Sequence, residues 1–109
     1  MTLDDLANCD SFTFDVTQED IRAGRPKSSR FCAIALAINR TLGLPTRSTL
    51  VRGPRHLANA IDISSDYTQG VYSKKSLVFN HSPESVDFIK RFDNNKDVQP
   101  ITITLSRST

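Results

Sequence analysis

Phe31-Cys32-Ala33-Ile34-Ala35-Leu36-Ala37-Ile38-Asn39-Arg40-Thr41-Leu42 decides the fold. Phe31, Ile34, Ala35, Ile38 and Leu42 recur at helical spacing and form one stripe. Cys32, Ala33, Leu36 and Ala37 make the other sides apolar as well. Between residues 31 and 38 such a helix has no polar face, so most of its surface must be covered by the rest of the chain. Its alanines allow neighbouring elements to approach closely. Asn39, Arg40 and Thr41 return the helix to solvent, and Gly43 is the natural stop. Ser28 or Ser29 is placed to cap its start, so the pattern predicts a helix over residues 30–42.

The flanking sequence supplies the cover. Upstream, Phe12-Thr13-Phe14-Asp15-Val16 alternates apolar and polar residues, which reads as a half-buried strand. Thr17 then caps a short helix over residues 18–23, with Glu19 and Asp20 in the first turn, where the helix dipole favours acids. Ile21 anchors that helix and Gly24 ends it. Arg25-Pro26-Lys27-Ser28-Ser29 follows as a basic loop, because Pro26 cannot continue a helix. Residues 1–11 are a lead-in, in which Leu3 and Leu6 either make one helical turn or fray.

Downstream, residues 47–52, 56–64 and 75–80 are strand candidates that can form a meander. Residues 65–70 read as a polar loop between the last two. Ser82-Pro83-Glu84 is a cap, a proline at the first helical position and an acid. The helix it opens runs to about Phe92 on a stripe of Val86, Ile89 and Phe92, then stops in Asp93-Asn94-Asn95. A last strand over residues 98–105 places Ile101, Ile103 and Leu105 on one side, with Pro100 near its start. The order predicts an α+β fold: an antiparallel or mixed sheet of four to five strands, a central buried helix, and one or two further helices on one face.

The chain has 109 residues, the size of one domain, residues 1–109, able to bury its own core. Its two cysteines are too few for a disulfide scaffold. Cys9 is in a polar segment and Cys32 in an apolar one, so both are expected as free thiols. The first ten residues are acidic and hold no apolar run, so no export signal is expected there. No stretch approaches the ~20 apolar residues of a membrane span. The expected setting is a reducing cytoplasm, with no membrane partner.

Net charge is only +2, but it is unevenly spread. Residues 1–20 carry six acids and no base; residues 21–61 carry eight bases and no acid; residues 62–109 carry six of each. Such asymmetry creates a local field even at low net charge. Either the acidic head folds back over the basic middle or the middle remains available.

Chemical sites are scarce. Cys9, Cys32, His56 and His81 include no pair at zinc-ligand spacing, so neither a metal nor a cofactor is expected. A Cys32 dyad with His56 or His81 would need a reactive thiol, and a thiol within an apolar helix is inert. Gly24, Gly43, Gly53 and Gly70 lie too far apart for a phosphate loop. Glu19 and Asp20 are helix-start acids. The basic middle is what remains: Arg25, Lys27 and Arg30 precede the long helix, while Arg47, Arg52 and Arg55 lie on the strand and turn after it. If they converge they make an anion site or a site for an acidic partner, since guanidinium groups grip phosphates and carboxylates bidentately. If they scatter they are solvated surface. Tyr67 and Tyr72 are the aromatics available for stacking on bases.

Val16-Thr17-Gln18-Glu19-Asp20-Ile21-Arg22-Ala23-Gly24, followed by Cys32-Ala33-Ile34-Ala35-Leu36-Ala37, resembles a small uncharacterised protein family of tailed phages. The run from Ser82 to Asp93, then Val98-Gln99-Pro100, is similar to that family's closing segment. Together these stretches cover about half of the chain. The family often has proline after the cysteine, where this chain has Ala33. A second upstream cysteine, sometimes present there, is missing here, which argues against a metal role for Cys32. The resemblance implies a phage or prophage accessory protein made inside a bacterial host, and it carries no known activity across. The resulting expectation is a non-catalytic protein that binds a host component, such as part of a defence system, through an acidic surface on that target. The alternative is a nucleic-acid or nucleotide binder using residues 22–55. A homodimer is compatible with either.

Overall fold

The computed structural model describes residues 3–45, 47–51, 60–64, 67–68, 71–72 and 76–107. The elements in chain order are α1 (Leu3–Leu6), β1 (Ser11–Val16), α2 (Gln18–Ala23), α3 (Ala33–Leu42), β2 (Thr49–Val51), β3 (Ala60–Ser64), β4 (Tyr67–Thr68), β5 (Val71–Tyr72), β6 (Ser76–Asn80), α4 (Pro83–Asp93) and β7 (Ile101–Arg107). Five strands form one antiparallel sheet in the order β1-β7-β6-β3-β2. The chain is therefore α+β, and β2, β3 and β6 make the expected meander.

Alternation decides which side of the sheet is buried. Phe12, Phe14 and Val16 of β1 lie inward beside Ile103 and Leu105 of β7, Phe79 of β6, and Ile61 and Ile63 of β3. On the outer side Thr13, Asp15, Thr102 and Thr104 are exposed. There the Thr13 and Thr104 hydroxyls bond at 2.8 Å and Thr102 Oγ1 donates to Asp15 Oδ1 at 2.6 Å. The register of β1 on β7, with Phe12 opposite Leu105 and Phe14 opposite Ile103, keeps apolar pairs on the same face.

The sheet curls, and α3 packs against both of its edge strands, β1 and β2. This explains a helix with no polar face: Ala33, Ile34, Ala35, Ala37 and Ile38 are all fully buried. Polar bonds tie the helix and the turn before it to both edges, among them Thr49 Oγ1 of β2 donating to Asn39 Oδ1 of α3 at 2.6 Å. Arg40 Nη2 donates to the Asp15 carbonyl of β1 at 2.9 Å. At the other edge Val51 N–H of β2 donates to the Ser29 carbonyl at 2.8 Å.

The helix caps follow the sequence closely. Thr17 and Asp20 form a reciprocal capping box at α2. Ser82 caps α4, with Pro83 in its first turn. Gly43 ends α3 at φ 65° and ψ 33°, the left-handed conformation that glycine adopts without strain. Leu6, on the single turn α1, is fully buried.

Four expectations need correction. The long helix begins at Ala33, not at residue 30, and its N-cap is Cys32, not Ser28 or Ser29. Ser28 Oγ instead accepts the Phe31 N–H at 3.2 Å, and Cys32 N–H bonds the Ser28 carbonyl at 3.1 Å, so residues 28–32 form a separate turn. Residues 65–70 are not a plain loop, because Tyr67–Thr68 pairs with Val71–Tyr72 as a hairpin outside the main sheet. The last strand starts at Ile101, after Pro100, and not at residue 98. The described strand positions within 47–52 are Thr49–Val51, and those within 56–64 are Ala60–Ser64.

Among the described residues no helix is long and apolar enough to cross a membrane.

Candidate anion-binding site

Three of the six basic residues singled out from the sequence meet around one ring. The guanidinium carbon of Arg25 stands 5.5 Å from the centre of the Phe31 ring, and that of Arg47 stands 5.6 Å from it. Both distances are within the range of cation–π attraction. Arg30 joins them from the side, as its Nη1 donates to the Arg47 carbonyl at 3.1 Å. Lys27 lies in the same loop, exposed, and its main-chain N–H donates to Asp93 Oδ1 at 2.8 Å. Arg52 and Arg55, with His56, lie outside the described residues.

Local structure explains the gathering. Arg25 N–H bonds the Phe31 carbonyl at 2.8 Å and closes the basic loop on itself. Gly24 allows this loop to run against the start of α3: a Cβ there would stand 2.7 Å from Ala33 N and 2.9 Å from the Asp20 carbonyl. The Ser29–Val51 bond brings the loop to β2, and Arg47 comes just before that strand. Two of the four residues are held in the left-handed region, Lys27 at φ 63° and Arg47 at φ 75°. That conformation costs a non-glycine residue about 1 kcal/mol, and such strain collects at functional sites.

Electrostatics sharpen the picture. The two distances to the Phe31 centre put the Arg25 and Arg47 guanidinium carbons within about 11 Å of each other. At that separation two unit charges repel by about 0.4 kcal/mol in water and more at lower effective dielectric. Among the described residues none of the ion pairs involves Arg25 or Arg47. Among the described residues no carboxylate of the acidic head is ion-paired with either. The head's described ion pairs with the basic middle are Glu19 with Arg22, exposed and within α2 at 3.3 Å, and Asp20 with Arg40 at 2.9 Å, near the opposite end of α3. Through Asp20 the head thus covers the C-terminal part of the helix.

The neighbouring thiol is quiet. Cys32 is 2% exposed, and burial pushes its pKa up to about 11, against the pull of the Ala35 and Ile34 main-chain groups. Both cysteines are free. His81 Nδ1 is bonded to the buried Ser85 hydroxyl at 2.8 Å, and that hydroxyl also donates to the Ser82 carbonyl. Among the described residues no group of His, Cys, Asp and Glu is arranged to hold a metal ion.

Sequence reasoning missed the role of Phe31. Helical periodicity assigns it to the core stripe, but it is only half-buried and serves as the platform for two guanidinium groups. The available signal was an aromatic residue placed within a run of bases that lacks any acid.

No protein family, no curated protein and no solved structure matches this chain.

Proposed function

We propose that this chain is a small, non-catalytic binding protein that takes hold of an acidic surface on another protein through Arg25, Lys27, Arg30 and Arg47. The convergence of Arg25 and Arg47 on Phe31, with no carboxylate paired to either among the described residues, carries this reading. Stacking on the ring immobilises each guanidinium plane and leaves its N–H groups available for a carboxylate. An incoming acidic group also relieves the repulsion between them. The high thiol pKa of Cys32 supports a role without a nucleophile.

The resemblance to the tailed-phage family supports a setting in the cytoplasm of an infected or lysogenic bacterium. There the partner is a host protein, and a defence component is the kind of target that such an accessory protein blocks. A nucleic acid or nucleotide is the competing ligand. One observation weighs against it: the Phe31 ring already faces two cations.

The test is capture from bacterial lysate on tagged protein, with and without nuclease, alongside the Arg25→Glu/Arg47→Glu variant. The expected result is a stoichiometric protein partner that survives nuclease and is lost with the variant. Retention by the variant, or loss with nuclease, overturns the assignment.

A further inference from the structure

A second surface, independent of the basic cluster, lies where the sheet is incomplete. Antiparallel main-chain groups alternate in direction. Arg107 N–H donates to Asp10 on the β1 side at 2.7 Å, so Ile101, Ile103 and Leu105 also turn to β1, while Thr102, Thr104 and Ser106 turn the other way. Ser106 faces Asn80, the last residue of β6. Near Thr104, the Glu84 carboxyl is held below the usual carboxylate range by its own main-chain N–H first, against the opposing effect of burial, and then by the Ser82 hydroxyl and the Thr104 main chain. Thr102 lies beyond the end of β6 and receives no strand partner from it.

Beside this open stretch runs a groove of about 260 Å³ between α4 and residues 97–101. Phe88, Val98, Pro100 and Ile101 give it an apolar lining. Glu84, Asp87 and Asp97 stand along it against one base, Arg91, which is already paired to Asp87 at 3.1 Å. The groove is smaller than the ~300–1,000 Å³ that buries a small-molecule ligand. It suits a few side chains of an extended segment.

We propose that the groove docks an extended basic segment of a partner protein, which adds as a short strand to the open side of β7 at Thr102. Alternate side chains of the segment enter the apolar lining, and its arginine or lysine residues meet Asp87 and Asp97. Strand addition of this kind draws affinity from main-chain bonds and selectivity from alternate side-chain positions. Charge complementarity selects the occupant: the chain carries +2 overall, yet this face has three carboxylates to one guanidinium. A basic segment is repelled by the cluster around Phe31 and drawn here.

The test uses the full chain and a fluorescent eight-residue probe alternating arginine and valine. A serine–valine probe and a copy N-methylated on alternate main-chain nitrogens serve as controls. The basic probe is expected to bind, to shift the amide signals of Val98, Gln99, Ile101 and Thr102, and to weaken about tenfold with Asp87→Asn/Asp97→Asn. The N-methylated probe should bind at least tenfold more weakly. Absence of binding, shifts confined to another surface, equal binding of the serine probe, or indifference to N-methylation would each overturn the proposal. So would self-association of the chain through this groove that excludes the probe.

Discussion

Replacing Arg40 with alanine removes the base that pairs with the buried carboxylate of the acidic head, Asp20. Asp20 is 5% exposed and accepts from Arg40 Nη2 at 2.9 Å, Thr17 N–H at 2.8 Å and Thr17 Oγ1 at 3.0 Å. Removing one partner of a fully buried pair costs about 3–5 kcal/mol, because the other charge is stranded. Here the Arg40 side chain is 51% exposed, so solvent already screens the pair, and Thr17 still donates twice. The expected loss for Arg40→Ala is therefore about 2 kcal/mol, a fall in Tm of roughly 8 °C. Asp20→Asn keeps an oxygen for Thr17 and frees Arg40 to rehydrate, so about 1 kcal/mol is expected. The double variant should lose about 1.5 kcal/mol, giving a coupling of roughly 1.5 kcal/mol. Urea unfolding followed by circular dichroism on all four proteins measures this cycle. Additive losses, or an Arg40→Ala variant no weaker than Asp20→Asn, would refute the claim that Arg40 neutralises a buried carboxylate.

Four further outcomes follow from the same structure. Gly24→Ala forces a Cβ to within 2.7 Å of Ala33 N, so it should cost about 1–3 kcal/mol in chemical denaturation. Ser48 is fully buried and its Oγ has no hydrogen-bond partner among the described residues, so Ser48→Ala should stabilise by about 1 kcal/mol, which calorimetry would show as a higher Tm. Alkylation of the native protein at pH 8 should label Cys9, which is half-buried, well before Cys32. The Cys32 thiol holds its proton in the folded state up to about pH 11, against an ordinary thiol value of 9.0, so the unfolded chain loses that proton first. Its contribution is complete below pH 9 and declines as pH rises from 9 towards 11, a fall that Cys32→Ala should remove.

The parts of the fold that rest on local chemistry were legible in the sequence. Thr17 with Asp20, Ser82 with Pro83, and Gly43 all act where their residue types place them. The burial of α3 also followed from its composition, since a helix apolar on every side has to be enclosed. Its start was misplaced because Ser28 and Ser29 are good caps in isolation. A tertiary bond takes the Ser29 carbonyl to Val51, and Ser28 caps a turn instead. The charge asymmetry marked out the basic segment, but not which acid would reach which base. The Asp20–Arg40 pair spans 20 residues and depends on how α2 packs on α3. The platform role of Phe31 was hidden because periodicity alone makes it a core residue. The groove beside β7 was not readable at all, since it exists only because β6 stops at Asn80 while β7 continues past it.

The most direct test of the central claim is an NMR titration of isotope-labelled protein with an eight-residue glutamate peptide, following the arginine Nε–Hε signals. The predicted result is early, saturable and salt-sensitive movement of Arg25, Arg30 and Arg47 together with the Phe31 ring signals, while Arg40 and Arg91, already paired with Asp20 and Asp87, stay in place. Uniform small shifts across all the arginines, or movement that leaves Phe31 untouched, would show that the three guanidinium groups do not act as one site.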